Sequence, residues 1–161
     1  MSALLLLCLL TAGGTEEALR AFFPQSERVT YERLSAGQLT ARLGYKPERA
    51  SYVVYVAKSG ERIDGYAVVD DELGQHEPIT AAVRFDPLGR VTAVEVLAYR
   101  EAYGREVRER RFRRQLEGLG PERPARLGGN VDAVSGATIS SRSLVRLVNR
   151  AIVLVDVLRH R

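Results

Sequence analysis

The sequence predicts a single α+β domain, an antiparallel meander of about four strands packed against N-terminal and C-terminal helices. Three observations predict it. Apolar residues near the amino end recur at helical spacing, residues 51–99 are rich in β-branched and aromatic residues divided by short turns, and residues 140–158 form a long apolar segment. A length of 161 residues and an apolar content of 45% suit one domain with one core.

The first 14 residues carry no charged side chain, and their apolar run ends in the small residues Ala12, Gly13 and Gly14. This is the pattern of a signal peptide, although its amino-terminal part lacks Lys and Arg. The alternatives are a buried helix or a short membrane anchor, but a bilayer span needs about 20 residues. We expect residues 1–14 to direct export and residues 15–161 to form the domain. The one cysteine, Cys8, lies in this leader, so the mature chain would suit an oxidising compartment.

Two helices are predicted ahead of the strands. The segment from Thr15 to Phe23 has acidic residues in its first turn and an apolar stripe, and Pro24 ends it. A second short helix is predicted over Ala36–Leu43, and Gly44 ends it.

The strands follow as a meander. Ser59-Gly60 and Asp86-Pro87-Leu88-Gly89 have the composition of tight turns, and Glu72–Glu77 reads as a polar loop. Strands joined by such short turns pair antiparallel. The predicted strands are Ser51–Ala57, Arg62–Val69, Ile79–Phe85 and Val91–Tyr99.

An arginine-rich segment follows the meander. We predict a helix over Arg105–Leu119 in which Phe112, Leu116 and Leu119 share one face, with six arginines between Arg105 and Arg114. Such a charged face is usually a solvated helix surface. The alternative is a docking face for an acidic partner or an anionic membrane.

The stretch Asp132-Ala133-Val134-Ser135-Gly136-Ala137-Thr138 precedes the last helix, predicted over Ser140–Leu158. Asp, Ser and Thr before a helix commonly cap it. Unpaired N–H groups and the helix dipole also make such an end a place for a phosphate. The residues themselves leave both interpretations open, and charged residues within the helix argue against a membrane span.

Several kinds of site are not indicated. The motif lacks the lysine of a nucleotide-triphosphate loop and the Gly-x-Ser-x-Gly of a hydrolase. The two histidines, His76 and His160, form no cluster with ligand spacing, so no metal site is predicted. Aromatic residues are few and tryptophan is absent, so nucleic acid is not an expected partner.

The motif Asp132–Thr138 resembles the D-x-x-S/T-G-A-T motif of the FMN-binding domain family, which includes flavin subunits of the sodium-pumping quinone reductase and of the Rnf complex. Asp86–Val91 is similar to the family's strand–turn–strand. Glu101-x-x-Gly104 and the later Phe112, Gln115 and Gly118 resemble its E-T-P-G and F-x-x-Q-F-x-G regions. The resemblance extends over Ser51–Leu158. Because Ala102 and Tyr103 replace the family's Thr and Pro, the chain looks closer to a compact stand-alone member.

The resemblance implies a covalent cofactor. A flavin transferase would use FAD to attach FMN through its phosphate to the hydroxyl of Thr138. Gly136 and Ala137 would leave room beside it, and Ser135 would order the loop. Asp132 would order the loop, help to activate the hydroxyl or bind the transferase's metal. The candidates for a wall beside the isoalloxazine ring are Glu101, Tyr103 and Gly104.

The function that the resemblance implies is an exported electron-transfer flavoprotein that relays electrons between a membrane reductase and an acceptor. It would be an electron carrier rather than a complete enzyme. Its location would be the periplasm or another extracytoplasmic compartment, either free or associated with the membrane. Its partners would be the flavin transferase and a membrane or periplasmic redox protein. The alternative is an assembly module of the same fold that binds flavin or another anion without a covalent bond.

Overall fold

A five-stranded antiparallel sheet, in which each strand pairs with the next along the chain, organises the computed structural model. The structure describes residues 12–161. The strands are β1 (Arg28–Ser35), β2 (Ser51–Ser59), β3 (Arg62–Leu73), β4 (Pro78–Phe85) and β5 (Val91–Tyr99). The α-helices are α1 (Ala12–Phe22), α2 (Thr40–Leu43), α3 (Arg110–Arg113) and α4 (Thr138–Arg159), with 3-10 turns at Ala36–Gln38, Arg105–Arg108 and Arg114–Leu116.

The two faces of the sheet bury different residues, and this difference sets three layers. Strand alternation sends large side chains such as Val54, Val68 and Phe85 to the face that packs against α4. Small residues of the same strands face the other way, where α1 packs with Phe22. They are Ala57, Ala67 and Ala82. The α+β class and the antiparallel meander predicted from the sequence are confirmed.

The strand β1 was not predicted. It lies at the edge of the sheet and pairs only with β2 among the described strands. Leu34 is its one buried side chain, and charged residues interrupt the alternation of Val29 and Tyr31. Its ladder with β2 therefore holds it in place more than a buried face does.

The helix predicted over Arg105–Leu119 is wrong as a continuous element. The backbone at Glu109 is extended, with ψ of 142°, and separates the first 3-10 turn from α3. The reason lies in the spacing of Val107 and Phe112, which are both buried. Five residues of α-helix, at 3.6 residues per turn, would place them on different faces, so the chain breaks to bury both.

The other predicted helical segments are helical in the structure, with somewhat different bounds. The predicted 36–43 helix is divided into a 3-10 turn and α2, and Gly44, with φ of 74°, follows it. The predicted signal peptide lies outside the described residues except for its last three positions, which begin α1. Within residues 12–161, no helix is long and apolar enough to cross a membrane.

A buried ion network fixes α4 to β3. Arg150 donates from Nε to Asp70 at 2.7 Å and from Nη1 to Glu72 at 2.7 Å, and all three side chains are buried. Arg49 reaches the same Asp70 carboxylate from the surface at 2.9 Å. Burial opposes the charge of Arg150, but the carboxylates of Asp70 and Glu72 outweigh it and raise the pKa of the guanidinium.

Candidate functional site

The N-terminus of α4 begins directly at the motif, with Thr138 as its first residue. The backbone leaves the helix at Ala137, whose side chain forms no cap. No side chain caps the helix, and a serine of its first turn instead ties the preceding loop to it. Ser141 Oγ accepts the N–H of Val134 at 3.1 Å and donates to the Ala137 carbonyl at 2.7 Å. The interpretation in which Asp132, Ser135 or Thr138 caps the helix is therefore wrong.

The hydroxyl groups in this region fall into two sets. Ser140, Ser141 and Ser143 are buried, and each is hydrogen-bonded. Ser135 and Thr138 are exposed, and their hydroxyls form no hydrogen bond with the described part of the chain. The fold thus leaves two hydroxyls available, and only Thr138 lies in the helix itself, next to its positive end.

Gly136 and Ala137 have different roles. Gly136 has φ of 78°, a conformation that favours glycine, and a β-carbon there would meet no atom within 4 Å. The space expected beside the motif is therefore present at Gly136. Ala137 is 4% exposed and points inward, so it contributes to packing rather than to open space.

Gln115 orders the loop at Asp132. Its Oε1 accepts the Asp132 N–H at 2.8 Å, and its Nε2 donates to the Asp132 carbonyl at 3.3 Å. The Asp132 side chain is exposed, and its carboxylate accepts no hydrogen bond from residues 12–161. The ordering role considered for the Asp132 carboxylate thus belongs to Gln115, a residue that was not among the predicted site residues.

Gly104 brings the second predicted segment against the start of α4. Its φ is 84°, and a β-carbon there would lie 2.6 Å from the Tyr99 hydroxyl and 2.7 Å from Ser140 Oγ. The Tyr99 hydroxyl lies 2.8 Å from Ser140 Oγ and also donates to the Tyr103 carbonyl. Glycine is therefore required where the 101–104 loop touches the helix.

Glu101 holds the turn between β3 and β4. Its Oε1 accepts the N–H of His76 at 2.6 Å and of Glu77 at 3.0 Å. The hydrogen bonds from the backbone of Glu77 and His76, with a smaller one from Gln75, keep the pKa of Glu101 below its ordinary value. The carboxylate is thus directed toward this turn, whereas Tyr103 is 85% exposed.

Exposed apolar side chains lie beside Thr138. Ser143 Oγ joins two of them through the backbone, because it lies 2.7 Å from the Leu73 carbonyl and 3.1 Å from that of Ile139. Leu73 is 60% exposed and Ile139 43%. Tyr103 is joined to the same end of α4 through Tyr99, whose hydroxyl bonds the Tyr103 carbonyl and lies 2.8 Å from Ser140 Oγ. We call these three exposed side chains (Leu73, Tyr103, Ile139) the apolar collar.

Thr138 itself is on open surface. A cavity of about 420 Å³ lies between α2 and α4, lined by Leu43, Tyr45 and Ile152 among others, and an open groove of about 540 Å³ lies at Arg110, Arg111 and Arg114. Neither includes Thr138. Among the described residues, no group of three or more His, Cys, Asp or Glu is arranged to hold a metal ion.

Comparison with known proteins bears on the fold and on the family. No curated protein matches the chain. The crystal structure of Shewanella oneidensis NqrC is similar in fold, with a TM-score of 0.54 over 81% of this chain and 80% of that chain, at 16% identity. The model of the FMN-binding domain matches residues 74–153, which include Glu101, Gly104 and the motif through Thr138. Residues 74–153 therefore belong to the FMN-binding domain family.

Proposed function

We propose that the protein is an exported electron-transfer flavoprotein that carries FMN bound covalently through its phosphate to Thr138. The observation that carries the proposal is the exposed Thr138 hydroxyl, without a hydrogen bond to residues 12–161, in the first turn of α4, inside an FMN-binding domain. The hydroxyls of Ser140, Ser141 and Ser143 are buried and bonded, so they are not open to modification.

The residues at the helix end fit a phosphate. The first hydrogen bond of α4 runs from the Ser141 N–H to the Ala137 carbonyl. The N–H groups of the three residues before Ser141, from Thr138 to Ser140, therefore have no acceptor within the helix. Those N–H groups and the helix dipole favour a negative charge beside Thr138. Gly136 leaves open space on the approach to it.

A covalent bond suits the shape of the site. Pockets that hold a small molecule without a bond usually bury about 70–90% of it. Thr138 lies on open surface, outside both cavities described above. A phosphoester to Thr138 would keep FMN attached without an enclosing pocket, which is an advantage for a protein outside the cytoplasm.

The attachment step balances with FAD as the donor. The Thr138 oxygen forms a bond to the phosphorus of the FMN half, the bond between the two phosphates breaks, and AMP leaves. The hydroxyl proton passes to a base of the flavin transferase. The exposed carboxylate of Asp132 lies six residues before Thr138 and is available to the transferase or its metal.

The apolar collar is our proposed resting place for the ring. Leu73, Tyr103 and Ile139 are exposed and belong to segments bonded to the N-terminal end of α4, and burying such apolar surface under a planar ring is favourable. FMN supplies the redox chemistry when bound, and the protein sets its orientation and access. An open site lets a membrane reductase and an acceptor reach the same flavin in turn.

The test is in-gel flavin fluorescence with intact mass. The full chain is co-expressed in the periplasm with a flavin transferase and run on a denaturing gel. We expect a fluorescent band and a mass increase of one FMN less water in the wild type and in Thr138→Ser, and neither in Thr138→Ala. Ser135→Ala is the matched control, since it removes the other exposed hydroxyl and should keep the flavin.

Two results would contradict the proposal. Fluorescence that persists in Thr138→Ala would place the bond elsewhere. A wild type that never becomes fluorescent but binds FMN under native conditions would support the noncovalent module instead. The same mass spectrum reports whether residues 1–14 have been removed, and an uncleaved chain retained in the cytoplasm would contradict export.

A further inference from the structure

A basic groove (Arg110, Arg111, Arg114 and Gln115) lies beside the motif and has no part in the attachment of FMN. It is open and measures about 540 Å³. Its three arginines are exposed, and no carboxylate of the described residues lies within ion-pair distance of them. By contrast Arg113, in the same segment, pairs with Glu95 at 2.6 Å and donates to the Val94 carbonyl.

The groove is joined directly to the motif loop. Gln115 forms part of its wall and also holds the backbone of Asp132 through two hydrogen bonds. Asp132 begins the short loop that leads to Thr138. A molecule seated on the basic groove would therefore lie next to the loop that carries the proposed flavin.

We propose that the basic groove is the docking surface for an acidic face of a protein electron partner. The proposal rests on the proposed function, because docking beside the flavin brings the partner's redox centre close to it. Arginine is suited to this contact, since its planar guanidinium binds carboxylates through two parallel hydrogen bonds. Unpaired positive charge also steers an acidic partner and raises its association rate.

The shape of the segment favours a protein over a membrane. Membrane-surface segments insert apolar side chains below the headgroups. The apolar residues here point the other way, with Phe112 2% exposed and Leu116 fully buried. The exposed part of the segment therefore offers guanidinium groups and no large apolar side chain to insert, which suits the carboxylates of an acidic protein.

The first test needs no flavin. Binding of fluorescent poly-L-glutamate to the full chain is measured by anisotropy at low and high salt. The variant is Arg110→Gln, Arg111→Gln and Arg114→Gln together. The control variant removes the same charge elsewhere, through Arg28→Gln, Arg33→Gln and Lys58→Gln on β1 and β2. These two strands lie at the opposite side of the sheet from β5, and β5 is the strand that the 3-10 turn at Arg114–Leu116 contacts. Circular dichroism verifies that each variant is folded.

We expect poly-L-glutamate affinity to fall by about tenfold or more in the groove variant and much less in the control. Equal losses in both would mean that net charge alone binds the peptide, and the proposal would fail. Vesicles of phosphatidylglycerol and phosphatidylcholine form the competing arm. Wild-type protein that binds these vesicles through the groove, but not poly-L-glutamate, would assign the groove to a membrane.

The second test uses flavinylated protein. Reduced flavin is reoxidised by ferricyanide, an anion, or by hexaammineruthenium(III), a cation. Removing the groove's charge should slow the first reaction and speed the second, and the control variant should change neither. Unchanged rates with both would show that the groove does not act at the flavin. Because the peptide assay needs no cofactor, failed flavinylation would contradict the proposed function without deciding the docking surface.

Discussion

Ser141 Oγ accepts the N–H of Val134 at 3.1 Å, so a buried side chain of α4 fixes the loop that comes before its own helix. The same oxygen donates to the carbonyl of Ala137, where the helix begins. The motif therefore presents Thr138 from a loop held at both ends, by Ser141 on one side and by Gln115 at Asp132 on the other.

Ser141→Ala should lower the free energy of unfolding by about 1–3 kcal/mol, because it leaves the Val134 N–H without its acceptor. The measurement is urea unfolding followed by circular dichroism. Ser135→Ala, at an exposed hydroxyl of the same motif, should stay within about 0.5 kcal/mol of the wild type. If the two variants lost the same stability, the Ser141 hydroxyl would not be holding the loop.

How far the sequence predicts this fold depends on how local each signal is. The meander is predictable because alternation and turn residues such as Pro87 and Gly89 are contained in short windows. The edge strand β1 is not, since only Leu34 of its side chains is buried and its register comes from pairing with β2.

The site shows the same division. The family motif singles out Thr138, which the fold leaves exposed together with Ser135. The burial of Ser140, Ser141 and Ser143 depends on which face of α4 packs against the sheet. The order of these serines in the sequence does not reveal that face. The contact of Glu101 with the turn at His76 joins residues 25 apart and leaves no periodic trace in the sequence.

Gly104→Ala should destabilise the domain more than Gly118→Ala. Both glycines have positive φ, of 84° and 79°, so each alanine has a backbone cost of about 1–2 kcal/mol. At Gly118 no atom lies within 4 Å of the added carbon, whereas at Gly104 the carbon meets Tyr99 and Ser140. Such overpacking adds about 1–3 kcal/mol. Thermal and urea unfolding measure the difference, and equal losses would mean that the 101–104 loop does not pack on α4.

Glu101 should make the turn at His76 sensitive to acid. Its pKa is lowered from an ordinary value of 4.5, so the contact contributes fully above that pH and is lost as the pH falls through the lower value. The amide resonances of His76 and Glu77 should titrate together in this acidic range. In Glu101→Gln the titration should vanish, and the stability difference from wild type should shrink below pH 4.5. Titration at or above the ordinary value would contradict the contact.

The buried ion network also predicts a large loss of stability. Arg150→Met keeps the length of the side chain but leaves Asp70 and Glu72 buried without their partner, which typically costs about 3–5 kcal/mol. The loss should fall toward the lower end, because Arg49 still reaches Asp70 from the surface. Urea unfolding at neutral pH is the measurement.

Arg146→Met is the matched control, since Arg146 lies on the same helix and reaches the same Glu72 at 3.4 Å, but its side chain is 59% exposed. An exposed pair of this kind contributes about 1 kcal/mol or less. Adding Asp70→Asn and Glu72→Gln to Arg150→Met should recover much of the loss, because the carboxylates are then neutral. The Arg150 guanidinium also packs over Tyr52, with its central carbon 5.8 Å from the ring centroid. If the triple variant is no more stable than Arg150→Met alone, the loss of stability comes from this lost packing and not from carboxylates buried without a partner.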